Sequence, residues 1–178
     1  MVYAYLMASL PLLAIDKDIP MAAADFVDYC APLLSPKDAL GLQLAMEGRL
    51  DEVDHPAVRR YLAAEVQLRD AVARLRAARA GVDPSSYLRS FDGWDGMAEK
   101  TAAEAMSTAS PLERELLLDQ YRWHVLEDLS ALDAFSMVAV YSYGLRLQLA
   151  EKWQKLNEAQ GEAAVATIVQ DNVAGIGL

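Results

Sequence analysis

Few side chains in this 178-residue chain are of types that do covalent or acid–base chemistry at neutral pH, and their spacing limits what that chemistry could be. There are two histidines, His55 and His124, and one cysteine, Cys30. One cysteine forms no internal disulfide and supplies no cysteine-based zinc site, which fits a reducing compartment. A carboxylate-bridged dimetal bundle needs Glu-x-x-His on two helices. Here His124 precedes Glu127, the reverse order, and no second copy exists, so His124 reads as structural. Asp92-Gly93-Trp94-Asp95-Gly96 has the look of a calcium loop, but its acids are wrongly spaced and the closing bidentate glutamate is missing. It reads as a turn carrying a tryptophan anchor. Cys30 falls within a helical apolar pattern, the setting of a buried, inert thiol. The sequence holds no Gly-x-Ser-x-Gly, no phosphate-binding Gly-x-x-x-x-Gly-Lys-Ser/Thr and no Gly-x-Gly-x-x-Gly. The expectation is a protein that is not an enzyme and has no metal or cofactor.

Charge is more informative than reactivity. The chain has 16 Lys plus Arg against 26 Asp plus Glu, a formal net charge of −10. Yet residues 58–80 contain Arg59, Arg60, Arg69, Arg74, Arg76 and Arg79 against Glu65 and Asp70, a net of +4 that leaves −14 for the rest. Charge segregated in this way is either neutralised within the monomer or complementary to an acidic protein surface. Nucleic-acid binding is disfavoured, because the acidic remainder repels a polyanion. The expected docking set is Arg59, Arg69, Arg74, Arg76 and Arg79, together with Trp94.

The segments that carry these groups read as helices. The apolar share is 54% and only 7 residues are proline. The first fifteen residues carry no charge, but there is no basic n-region for a signal peptide and the run is too short to span a bilayer. Residues 134–145 form a second apolar run, also too short. No membrane span is expected. Residues 2–7 could be a short strand or a turn and a half of helix. Helices are expected from Pro20 through about Leu34, from Pro36 to about Gly48, and from Pro56 to about Ala80, closed by Gly81. Residues 49–55 read as a solvated connector.

On the Pro56–Ala80 helix, Val58, Tyr61, Leu62, Leu68, Val72 and Leu75 share one face, with arginines opposite. A short helix follows over about 97–107, then one from Pro111 to about Leu129. Ser130-Ala-Leu-Asp133 fits a capping box, so a long central helix is expected from about Leu132 to Asn157. Gly161 should separate it from a final helix over about 162–170. The resulting fold is all-α: a single domain over 1–178 of six or seven helices around that central helix, with an N-terminal half 1–81, a C-terminal half 97–172, a flexible tail 173–178 and possible extended structure at the N-terminus. Tyr121, Leu126, Leu129, Phe135, Val138, Tyr141, Leu145, Leu149 and Trp153 should be mostly buried.

One set of residues carries a resemblance. Glu113-Arg-Glu, Leu118-Asp119-x-x-Arg122-Trp123-x-x-Leu126-Glu127-Asp128, Phe135-Ser136, Leu147 and Ala150-Glu151-Lys152-Trp153-x-x-Leu156-Asn157-x-x-x-Gly161 resemble the C-terminal half of an uncharacterised bacterial family encoded among V-type ATPase subunit genes. Tyr5-Leu6-Met7-Ala8-Ser9-Leu10-Pro11 is similar to that family's opening motif. In that gene order such a protein stands where the C-type protein of the central stalk is expected. Leu62-x-x-Glu65-x-x-Leu68-Arg69-Asp70, with Leu75-Arg76-Ala77-x-Arg79, resembles more weakly the arginine-containing helix of that C-type stalk protein, which is much longer. The resemblance implies a non-catalytic subunit or assembly partner, a coupler between the central stalk and the proteolipid ring. Its place would be cytoplasmic, peripheral to the membrane through the ATPase. Two readings from other classes stand beside it. One is a small acidic helical chaperone that binds a peptide in a groove, and the other, weaker, is a carboxylate-metal helical enzyme.

Overall fold

Helix starts in this chain are set by local chemistry. Ser35 and Ser110 each accept a bond from the backbone N–H three residues on, at 3.2 and 3.3 Å, and a proline follows each in the first helical turn. His55 caps its helix through Nδ1, which accepts from Ala57 N at 3.2 Å, and Asp95 accepts from Met97 N at 2.8 Å. Each such cap satisfies a donor that the first turn leaves unpaired. The computed structural model describes residues 2–15 and 17–176, with side chains through residue 157. Among these it has seven α-helices and no strand: α1 Val2–Ser9, α2 Ala23–Cys30, α3 Pro36–Met46, α4 Pro56–Ala80, α5 Gly96–Ser107, α6 Pro111–Leu132 and α7 Met137–Ile176.

The expected all-α architecture is the observed one. The central helix is α7, which packs against α1, α2, α3, α4 and α6. One part of the core joins Leu6, Phe26, Leu42 and Val58 to Met137, Val140, Tyr141 and Leu147 of α7. A second lies between α4, α5 and α6, around Leu68, Val72, Ala102 and Leu118. Tyr61, Leu126, Leu129 and Leu145 form a third where α4, α6 and α7 meet. No helix, among the described residues, is long and apolar enough to cross a membrane.

Several boundaries differ from the sequence reading. Of the strand and helix left open for residues 2–7, the structure has the helix, extended to Ser9, with Leu6 as its one buried residue. The helix expected over 20–34 begins at Ala23 and tightens into a 3₁₀ turn at Ala31–Leu33. Pro32, which has no N–H to continue the ladder, sits inside that turn. The connector 49–55 includes a 3₁₀ turn at Leu50–Glu52, and Val53 is buried.

The largest shift is at the α6–α7 junction. Ser130 does not cap a new helix: its Oγ donates to the Glu127 carbonyl inside α6, which continues to Leu132. The cap-like contact belongs to Ser136, whose Oγ accepts from Val138 N at 3.2 Å. Phe135 therefore sits in the turn and is exposed, not buried. Tyr121, Leu126, Leu129, Tyr141, Leu145 and Trp153 are buried, and Val138 and Leu149 half-buried. Helix α7 has no break at Gly161 and includes residues 173–176 of the expected tail. A helix interior tolerates one glycine at a cost of about 1 kcal/mol. Gly177 and Leu178 lie outside the described residues.

Candidate protein-docking surface

Helix α4 packs against α5, α6 and α7, which leaves its solvent-facing surface in narrow strips and not as one broad arginine face. The expected docking set is accordingly dispersed. Arg59 pairs with Asp54 at 2.7 Å, both exposed. Arg69 Nε donates to Glu65 at 2.5 Å. Arg74 pairs with Glu99 of α5 at 2.5 Å, and Arg79 donates to the Met106 carbonyl at the end of α5. These two tie α4 to α5. Arg60 and Arg76 are exposed and make no ion pair or side-chain hydrogen bond among the described residues.

Two hollows flank α4 on the side of Arg69 and Arg76. One is a groove of about 510 Å³ whose floor is the buried trio Leu68, Val72 and Leu118, and whose edges include Arg69, Arg76, Val82, Tyr87 and Arg122. The other, of about 440 Å³, is lined by Leu62, Val66, Asp70 and Arg89 and shares Arg69, Ala73 and Tyr87 with the first. Tyr87, 74% exposed, stands between them. A third hollow, on the side of Arg59 and Arg60, is edged by Trp94. Trp94 is 70% exposed, so it is not the anchor of its turn but a surface group.

The connector 81–95 that carries Val82, Tyr87 and Trp94 is held by polar contacts that the sequence pattern does not announce. It leaves α4 through Gly81, whose φ of 68° is the left-handed conformation that closes helices. Asp83 then accepts from Ser85 N and Ser85 Oγ at 3.1 and 2.6 Å, shaping the turn before Tyr87. Buried Asp70 accepts from Arg89 N at 3.0 Å. Buried Gln67 exchanges two bonds with the Asp95 backbone, donating to its carbonyl at 2.7 Å and accepting from its N–H at 2.9 Å. Tyr121 Oη also donates to the Asp95 carboxylate at 2.8 Å. Both ends of the connector are thus fixed to α4, and the exposed aromatics between them are presented on a supported loop.

A charge network adjoins the groove and shares Arg69, Glu115 and Arg122 with its lining. Glu65 accepts from Arg69 and, at 2.7 and 3.1 Å, from two nitrogens of Arg122. Arg122 Nη1 reaches Asp119 at 2.6 Å. Asp119, 1% exposed, also accepts from Lys152 Nζ at 2.7 Å and Trp153 Nε1 at 2.9 Å, and Lys152 bonds Glu115 at 2.5 Å. Three cations meet three carboxylates. Burial works against charge on Arg122, but bonds and charge from Glu65 and Asp119 outweigh it and hold its pKa above the ordinary arginine value. For Lys152 too, burial is outweighed by Asp119 and Glu115, and its pKa is raised. No buried side-chain polar atom among the described residues lacks a partner. The arrangement pins α4, α6 and α7 together and fixes the charged part of the groove lining. Its sequence signal was the Asp119-x-x-Arg122 and Glu65-x-x-x-Arg69 spacings, which place each pair on one helix face.

The remaining chemistry-bearing residues lie apart. Cys30 is fully buried and burial pushes its thiol up to about 12. His124 is exposed beside Glu127 at 3.3 Å, while His55 caps α4. No group of three or more His, Cys, Asp or Glu among the described residues is placed to hold a metal ion.

Residues 99–176 match a family described as "Protein of unknown function (DUF2764)". The match takes in 78 of the 178 residues, from α5 through α7, and supports placing that stretch in an uncharacterised domain family. No curated protein and no solved structure matches the chain.

Proposed function

We propose that the protein is a non-catalytic interaction subunit or assembly partner of a V-type ATPase, a C-type coupler between the central stalk and the membrane ring. The observation that carries the docking part is the α4 surface. Among the described residues Arg60 and Arg76 have no side-chain partner, and they lie on different sides of α4, Arg60 beside the exposed Trp94 and Arg76 beside the exposed Tyr87. Tryptophan, tyrosine and arginine are the residues that most often dominate binding energy at protein interfaces. The ATPase part rests on the resemblance of the Asp119–Glu127 and Glu151–Trp153 segments. Coupling in such a complex calls for shape and charge fit, and an unpaired arginine beside an exposed aromatic on each of two sides of α4, on an otherwise acidic molecule, fits acidic partner surfaces. The protein would work at the cytoplasmic face of the membrane, held there by the complex. Tagged protein recovered from its own cells under mild conditions should bring down ATPase subunits. Recovery without them would remove the main support for this reading.

A second reading, a small acidic helical chaperone or peptide-binding protein, is favoured by the groove over Leu68, Val72 and Leu118, whose volume is in the range of about 300–1,000 Å³ typical of ligand sites. The two readings differ in partner: a defined complex in one, many unfolded or extended segments in the other.

A further inference from the structure

We infer that the groove bounded by α4, residues 82–87 and α6 binds an acidic segment with apolar anchors, supplied by a partner protein. The inference rests on the reading of the α4 side as a docking surface and adds what that surface selects. The floor of Leu68, Val72 and Leu118 is apolar and takes hydrophobic side chains. Tyr87 forms a wall with most of its surface in solvent, an arrangement that gains from being covered.

The charge at the rim follows by balance. Arg69, Arg122 and Lys152 are matched by Glu65, Asp119 and Glu115 within the network. Arg76, exposed and unpaired among the described residues, is left as the uncompensated charge of the groove. It lies four residues after Val72 on the same strip of α4, one helical turn beyond the apolar floor. A carboxylate placed about one turn from an apolar anchor would meet Arg76 while the anchor fills the floor. A basic segment would be repelled by Arg76 and Arg69, since the one carboxylate of the lining, Glu115, is already bonded to Lys152, and a bare phosphate would leave the apolar floor uncovered.

Panning a phage-displayed library of random peptides on the purified full-length protein tests this directly. The expected result is enrichment of peptides with Asp or Glu three or four residues from Leu, Ile or Phe. A synthetic peptide of the enriched sequence should bind tenfold or more weakly to Arg76→Glu and to Tyr87→Ala, and more weakly to wild type as salt rises. Lys37→Glu on α3 should bind as wild type does. Residues 76 and 87 are exposed, and thermal melts of both variants verify that they fold. No enrichment over an uncoated surface, a basic or uncharged consensus, or affinities of both variants within twofold of wild type would overturn the inference. Because the assay contains no ATPase, a failed co-purification and a failed panning are separate results.

Discussion

At the scale of single residues, Glu65 is the clearest point of leverage. Its carboxylate holds Arg122 by two bonds and Arg69 by a third, and it is 6% exposed. Removing one partner of a buried ion pair leaves the other charge uncompensated, at a cost of about 3–5 kcal/mol. Glu65→Ala should therefore lower unfolding free energy by about that amount in urea titrations; a loss under about 1 kcal/mol would mean that Asp119 alone suffices for Arg122. A second residue-scale prediction concerns alkali. Tyr3 is raised to about 12, chiefly by its hydrogen bond to Asp38. Tyr141 and Tyr143 are raised to about 12 by burial. In the unfolded chain these phenols ionise near 10, so above that pH the unfolded state gives up protons that the folded state keeps. Their contribution is complete below about pH 10 and drains away as pH rises toward 12. Melting temperature should fall steeply across that window, and a flat profile through it would contradict the assignment.

At the scale of elements, the packing of α7 depends on Gly144. A Cβ there would lie 2.9 Å from Phe26 Cε1 and 2.8 Å from Met46 Sδ. Met46 can swing aside. Phe26 cannot, because it is fully buried with its ring 5.1 Å from that of Tyr143. Gly144→Ala gains about 1 kcal/mol in helix propensity but incurs overpacking of about 1–3 kcal/mol. Net destabilisation in thermal or denaturant unfolding is expected, and stabilisation would show that α2 has room to move. The elements were also where sequence was most legible. Ser35-Pro36, Pro56, Ser110-Pro111 and Gly81 mark helix ends through bonds made within a few residues, and the structure places ends there. Ser130 misled because a serine one turn from a helix end can bond back to the carbonyl at 127 as readily as it can cap the next helix. Gln67 and Asp70 were illegible for a different reason. Their partners, Asp95 and Arg89, lie 28 and 19 residues away, and no local pattern announces such a bond.

At the scale of the whole molecule, the arginine-rich helix was legible as a basic segment but not as a surface. Its position among α5, α6 and α7 decides which charges are paired: Arg74 and Arg79 bond to α5, Arg69 bonds Glu65 and Arg59 bonds Asp54, while Arg60 and Arg76 have no partner among the described residues. That division selects the variant for testing the docking surface. Arg69→Glu would put a carboxylate beside buried Glu65 and confuse stability with binding, whereas Arg60→Glu with Arg76→Glu disturbs no internal pair. The double change reverses four charge units in all, two on each of two sides of α4, and should leave the unfolding midpoint within the small range of exposed substitutions. Docking on the ATPase is then decided by quantitative co-purification of wild type and this double variant, expressed at equal levels in the native cell, with recovery of V-type ATPase subunits as the readout. Wild type should recover those subunits, rising salt should weaken the recovery, and the double variant should lose most of it. Absence of ATPase subunits from the wild-type sample, or equal recovery by both proteins, would contradict docking through α4.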